Sequence, residues 1–269
     1  MSHRSFRHAT LFVFTLLLTV STTFAATNEG AWDKVESPYI LIYNGARAAQ
    51  GGPEALAVAA QALGHRVGYI ADLAELLDAL EGATAFAIGG TEDNTGGLLK
   101  ALARVEKELK DYIAKGGRYL GICGGAYLAS LGSDWPESQG GHEDDIGLVA
   151  VESFAFDPKN SQPQIITVEW PKGKMRSIYY QYGPAFDPRA LAEGLPNAEI
   201  LARYQTGSVA AFAVDSGKGR IVLCGPHPEG VEDWLENDDG TMIQNWEKWD
   251  KRGTADLVQE LFTTLLSPH

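Results

Sequence analysis

The 269 residues carry 35 acidic side chains against 22 Lys and Arg, a formal net charge of −13 with no basic cluster. That balance argues against nucleic acid and anionic membrane surfaces as partners. Two cysteines, Cys123 and Cys224, make no disulfide framework, so the fold must rest on its core, for which 45% hydrophobic residues suffice.

Residues 1–25 have the anatomy of a secretory leader. Arg4 and Arg7 form a positive start, LFVFTLLLTV (11–20) an apolar centre, and STTFA a small-residue end. The apolar stretch is shorter than the ~20 residues a bilayer span requires, so cleavage after Ala25 is expected in preference to an uncleaved anchor. The mature chain, 26–269, is then expected to be exported to the periplasm or beyond as a single domain, with no further segment apolar enough to span a membrane.

From residue 38 onward, short apolar runs alternate with helical stretches. YILIY (39–43), RVGYIA (66–71), TAFAIGG (84–90) and RYLGI (118–122) read as strands. PEALAVAAQALG (53–64), DLAELLDAL (72–80) and GLLKALARVEKELKDYIAKGG (97–117) read as the helices between them. Pro53 suits the first turn, Asp72 a cap, and a glycine pair ends the longest helix. Such alternation predicts an α/β fold with a parallel sheet, whose ligands bind beyond the carboxyl ends of the strands.

The second half is expected to be β-rich. After a polar, Gly-rich loop (132–146), QIITVEW (164–170), MRSIYY (175–180), EILARYQ (199–205) and SVAAFAVD (208–215) read as strands without intervening helices. The last two form a hairpin around QTG. GRIVLC (219–224) returns to a buried strand, and TADLVQELFTTLL (254–266) is a closing amphipathic helix.

Two stretches carry chemistry. In GICGG, Gly121 and Gly125 flank Cys123 at minus two and plus two, the spacing of a strand-to-helix elbow that exposes a nucleophile on a strained turn. A helix N-terminus behind a thiol favours the thiolate. In GPHPE, residues i and i+2 of an extended segment share a side, so Glu229 is expected to face His227. A carboxylate on one imidazole nitrogen fixes the tautomer and leaves the other to take a thiol proton. Cys123, His227 and Glu229 thus read as nucleophile, base and orienter.

The order GICGG…HPE resembles the class I glutamine amidotransferase-like fold with its Cys, His and Glu triad. More narrowly, YNGARA (43–48), IGGTED (88–93), RYLGICGGAYLAS (118–130), QYGPAF (181–186) and GRIVLCGPHPE (219–229) resemble the amidotransferase-like N-terminal domain of biotin–protein ligases. The resemblance implies an α/β three-layer sandwich, flavodoxin-like, with a mostly parallel central sheet. It also implies an oxyanion hole from the backbone N–H groups of Gly90 and Gly124. One departure bears on the substrate: the His-Gln pair usual after a glutamine amidotransferase elbow reads Ala126-Tyr127 here.

Tyr43, Tyr127, Tyr180 and Tyr182 are candidates to line the pocket, of which Tyr43, Tyr127 and Tyr182 are expected to meet substrate. Trp234, Trp246 and Trp249 sit among acidic residues and are expected to pack on the core, with a lid or carbohydrate-facing role as the alternative. His142-Glu143-Asp144-Asp145 reads as a solvated loop rather than a metal site, and no metal or other cofactor is expected. The expected function is hydrolysis of an amide-type bond in a small-molecule or peptide-like substrate. The alternatives are a catalytically idle ligand-binding or sensing domain on the same fold, and a glutaminase-type amidotransferase subunit.

Overall fold

The structure, a computed structural model, describes residues 35–91, 96–133, 145–250 and 254–268. The leader read in 1–25 and the residues His142-Glu143-Asp144 lie outside the described residues. In the first half β1 (Tyr39–Tyr43), α1 (Gly52–Ala62), β2 (Arg66–Ile70), α2 (Leu76–Leu80), β3 (Ala83–Ile88), α3 (Gly96–Ala103), α4 (Glu106–Ala114), β4 (Arg118–Ile122) and α5 (Gly124–Ala129) follow one another. The second half holds β5 (Phe154–Ala155), β6 (Gln164–Trp170), β7 (Lys174–Tyr180), β8 (Pro184–Ala185), α6 (Pro188–Gly194), β9 (Glu199–Tyr204), β10 (Val209–Ser216), β11 (Gly219–Cys224) and α7 (Thr254–Leu266).

One nine-stranded sheet runs in the order β2-β1-β3-β4-β11-β10-β9-β6-β7. The pairs from β2 through β11 are parallel, and those from β11 through β7 are antiparallel. Side chains alternate across a strand, so each run feeds two cores. Leu41, Phe86, Ile88, Tyr119 and Leu223 pack with residues of α2, α3 and α4 on one face. Ile40, Ile42, Ala87, Leu120, Ile122 and Val222 pack with α1 and α7 on the other. Burial on both faces explains why YILIY is apolar at every position rather than at alternate ones. The result is a helix–sheet–helix sandwich.

The late strand β11 inserts beside β4 at the centre of the sheet, with Cys224 opposite Ile122. That insertion brings the segment after residue 224 to the end of the strand carrying the elbow.

Three local expectations need correction. The helix expected over 97–117 is interrupted between α3 and α4, where the N–H groups of Arg104 and Val105 bond three residues back. The apolar stripe Leu98, Leu102, Leu109, Ile113 runs through the break, so hydrophobic spacing cannot reveal it. The segment 72–80 begins as a 3-10 turn, Leu73–Glu75, with the Asp72 carboxylate accepting from Ala74 N–H at 2.9 Å. A helix, α6, intervenes before β9, started by Pro188 and capped by the Asp187 carboxylate on the N–H groups of Arg189 and Ala190. Among the described residues no helix is long and apolar enough to cross a membrane.

Candidate active site

β4 ends at Ile122 and the chain turns at Cys123 with φ 46° and ψ −104°, a conformation L-residues rarely adopt. The flanking glycines make the turn possible. A Cβ on Gly121 would lie 2.5 Å from the Gly125 carbonyl oxygen, and one on Gly125 would lie 2.2 Å from that of Ile88. The elbow is thus pressed between β3 and α5, and only hydrogen fits at either position. The Cys123 side chain lines a cleft of about 810 Å³ at the carboxyl ends of the parallel strands.

His227 reaches the same cleft from beyond β11. Its N–H donates to the Tyr179 carbonyl at 2.8 Å, which ties the segment to β7. The backbone after it is not extended as the sequence suggests. Pro228 and Glu229 form a tight turn, closed by Gly230 N–H on the His227 carbonyl at 3.2 Å. A proline at the second position of a turn has its φ set in advance. The turn still brings the two side chains together, with His227 Nδ1 3.0 Å from Glu229 Oε1. The Cys123 thiol donates to the Gln181 carbonyl at 3.8 Å and lies close enough to the ring for its charge to act on the imidazole. Burial opposes a charged ring, but the charges of Cys123 and Glu229 prevail and raise the His227 pKa well above its ordinary value.

Gly90 has a different role from the one its resemblance implies. Its N–H donates to Glu229 Oε1 at 2.9 Å and is therefore engaged rather than turned to an oxyanion. A Cβ there would lie 2.6 Å from His227 Cε1, so the glycine also admits the ring. The N–H of Gly124, at the start of α5, meets no acceptor among the described residues and remains the candidate oxyanion donor. Thr91 packs over it, since a Cβ on Gly124 would lie 2.0 Å from Thr91 Oγ1. Glu229 is 1% exposed, and its Oε2 has no hydrogen-bond partner among the described residues.

Of the tyrosines, Tyr182 lines the cleft, with φ 55°. Tyr127 does not: its buried hydroxyl donates to the Tyr182 carbonyl at 3.0 Å and so supports that strained residue from behind. Tyr43 does not either. It is buried in the core with Leu41. The Tyr180 hydroxyl is likewise engaged, by Gly183 and Asp157 backbone. The sequence reading missed Tyr179, Gln181 and Arg47, all on the cleft wall, which Trp234 also lines. Arg47 and Gln181 lie within YNGARA and QYGPAF, stretches already singled out. Trp234 carries no motif. It packs on the core as expected, as does Trp249, whereas the exposed Trp246 does not. Among the described residues no group of three His, Cys, Asp or Glu side chains is placed to hold a metal ion.

Residues 81–143 match the family described as biotin-protein ligase, N terminal. The biotin–protein ligase of Schizosaccharomyces pombe is 28% identical over 149 residues, 46% of this chain and 22% of that protein. The chain thus spans under a quarter of the length of that relative. Among solved structures, a glutamine amidotransferase superposes with a TM-score of 0.53 at 16% identity, covering 70% of this chain and 90% of that one. A glutamine amidotransferase from Thermotoga maritima gives 0.51 at 14% identity over 87% of this chain and 97% of its own. A cytoplasmic protein from Salmonella typhimurium LT2 gives 0.53 at 14% identity over 85% and 99%. The fold is glutamine amidotransferase-like, and the chain is similar to the biotin–protein ligase N-terminal domain across the elbow. His227 and Glu229 lie outside the matched residues 81–143.

Proposed function

We propose that the chain is an exported cysteine-dependent hydrolase of amide-type C–N bonds. The observation that carries this reading is the pairing of Glu229 with the His227 ring on a cleft wall that the Cys123 thiol shares. In the reaction the Cys123 sulfur attacks the amide carbonyl carbon as its thiolate, and the negative charge on the oxygen turns to Gly124 N–H. His227, protonated, gives its proton to the leaving amine, and a thioester remains on Cys123. The neutral ring then takes a proton from water, whose oxygen attacks the thioester. Acid is released, and Cys123 leaves as thiolate beside a reprotonated His227. Glu229 holds Nδ1 throughout, while Gly90 N–H holds Glu229.

Glutamine is disfavoured as substrate. At the two positions after the elbow glycines, Ala126 and Tyr127 are buried, and the Tyr127 hydroxyl is engaged by Tyr182. Neither offers the cleft a free polar group. The rest of the wall, with Gln50, Thr91, Ser161, Gln162 and Gln181, suits a hydrophilic, peptide-like amide. Screening small amides and peptides for paired release of acid and amine tests the reading, with Cys123→Ala as control. A thioester on Cys123 seen by intact mass supports it, and amide turnover surviving Cys123→Ala defeats it. Export rests on the leader pattern of residues 1–25, and N-terminal sequencing of protein recovered outside the cytoplasm should begin at Ala26. One observation favours a second reading, ligand binding without turnover: Gly90 N–H is bound to Glu229, which halves the expected oxyanion hole.

A further inference from the structure

The His227 ring is flanked by two adjacent aromatic rings that the reaction above does not use. Trp234 lies 5.4 Å away between centroids at 86°, and Tyr179 lies 5.5 Å away at 78°. The two rings also contact each other, at 5.1 Å and 63°. Each is anchored separately. Tyr179 hydrogen-bonds through its hydroxyl to Gln181 Oε1 at 2.9 Å and through its carbonyl to His227 N–H. The Trp234 indole Nε1–H donates to the Gln50 carbonyl at 2.7 Å, so the tryptophan straps its own segment to the loop before α1. That loop contributes Arg47, Ala49 and Gln50 to the cleft wall. The backbone at Gly52 and Gly230 lies directly against the indole, where a Cβ would sit in ordinary contact at 3.6 Å and 3.4 Å.

We propose that Trp234 is a positioning residue for His227: with Tyr179 it closes the space into which the imidazole would turn, and holds the free ring nitrogen on Cys123. This rests on reading His227 as the base of Cys123. The carboxylate bond alone leaves the ring able to swing about the Nδ1–Oε1 line. Two rings set nearly perpendicular to it block that swing on the flank they share. The indole packs on the small cluster of Ile165, Tyr179, Leu235 and Ile243 and, being only half-buried there, also faces the cleft.

The test reads the thiol directly and needs no substrate. The rate of Cys123 alkylation by iodoacetamide, followed by mass spectrometry of its peptide, is measured from pH 5 to 10 for the wild type, Trp234→Leu, Trp234→Phe and His227→Gln. Trp234→Leu should lose rate near neutral pH by on the order of tenfold and move its profile towards that of His227→Gln. Trp234→Phe, which restores a ring without the bond to Gln50, should recover most of that loss. A wild-type profile in Trp234→Leu, with His227→Gln altered, overturns the positioning role alone. A wild-type profile in His227→Gln overturns the base assignment and the positioning role together. Altered profiles in a protein that turns over no amide overturn the hydrolase reading and support the positioning role. Should Trp234→Leu fail to fold by circular dichroism, the His227 ring in 15N-histidine-labelled wild type decides. One set of ring correlations with slowly exchanging Nδ1–H supports the clamp, and an exchange-averaged ring overturns it.

Discussion

Two cysteines stand at the ends of neighbouring parallel strands, both buried against the same core, and only Cys123 also lines the cleft. β4 and β11 run in register, and Cys123 N–H donates to the Cys224 carbonyl at 2.8 Å. Up to that bond the strands are equivalent. Beyond it the backbone at Cys123 turns to positive φ, and the thiol enters the cleft beside His227. Cys224 keeps strand geometry, so its side chain stays in the core under α7, where the thiol donates to the Pro226 carbonyl at 3.3 Å. Burial, then the charges of Glu229 and Cys123, push the Cys224 thiol well above its ordinary pKa. Thiolate there is scarce as well as unreachable. Backbone conformation, more than residue type, separates a candidate nucleophile from a small apolar filler.

The largest expected effect separates the two thiols by activity. Cys123→Ala should lower amide turnover by at least roughly a thousandfold, while Cys224→Ala should stay within about threefold of wild type. Comparable losses in both variants would break the contrast. Labelling sharpens it without substrate: at neutral pH iodoacetamide should modify Cys123 on the order of a hundredfold faster than Cys224, which reacts only when the core opens. Equal rates, or faster modification of Cys224, would undo the assignment. Both cysteines are free thiols in the structure, so the native protein should take up two labels once denatured without reductant.

Glu229→Gln is expected to cost about a hundredfold in turnover while leaving Cys123 in place. It also has a pH signature. The His227 pKa is raised in the folded protein, so the stability it contributes is fully present below its unfolded value and is lost as pH rises through the folded one. Removing the Glu229 charge removes part of that shift. The stability gap between wild type and Glu229→Gln, from urea unfolding, should therefore be widest below pH 6.5 and narrow as pH rises above it. A gap that widens with pH would mean that Glu229 stabilises the fold by some route other than the imidazole.

Much of this was legible in residue order, and the exceptions share a cause. Local spacing marks α7 at its bounds, the β9–β10 hairpin and the elbow glycines, because each is set by contacts within a few residues. The meeting of His227 with Cys123 could be anticipated only because both follow buried strands, and β11 then inserts beside β4. What spacing does not encode is where a backbone group points or which ring lies over which. Gly90 was read as an oxyanion donor, yet its N–H direction depends on how β3 ends against the 227–230 turn. Tyr43 is among the tyrosines expected to meet substrate, yet period-two alternation sends it into the core with Leu41. Trp234 sits on a 3-10 turn, and its place over His227 comes from tertiary docking on Gln50 and Tyr179.

The smallest effect tests the apolar side of the contrast. Cys224 is fully buried, and its pKa-raising neighbours make it a poor ion, so its remaining contribution is packing plus one weak S–H bond. Truncation to alanine removes a single sulfur from a well-filled site and should cost about 1 kcal/mol of stability. Serine keeps a donor for the Pro226 carbonyl at smaller volume, and should fall near alanine because what it retains in hydrogen bonding it loses in apolar contact. Urea unfolding of the three proteins, with the m-value unchanged, measures both costs. A variant that keeps its stability but loses turnover would place Cys224 in the chemistry. The two strand ends would then be parts of one site rather than a reactive thiol beside an inert one.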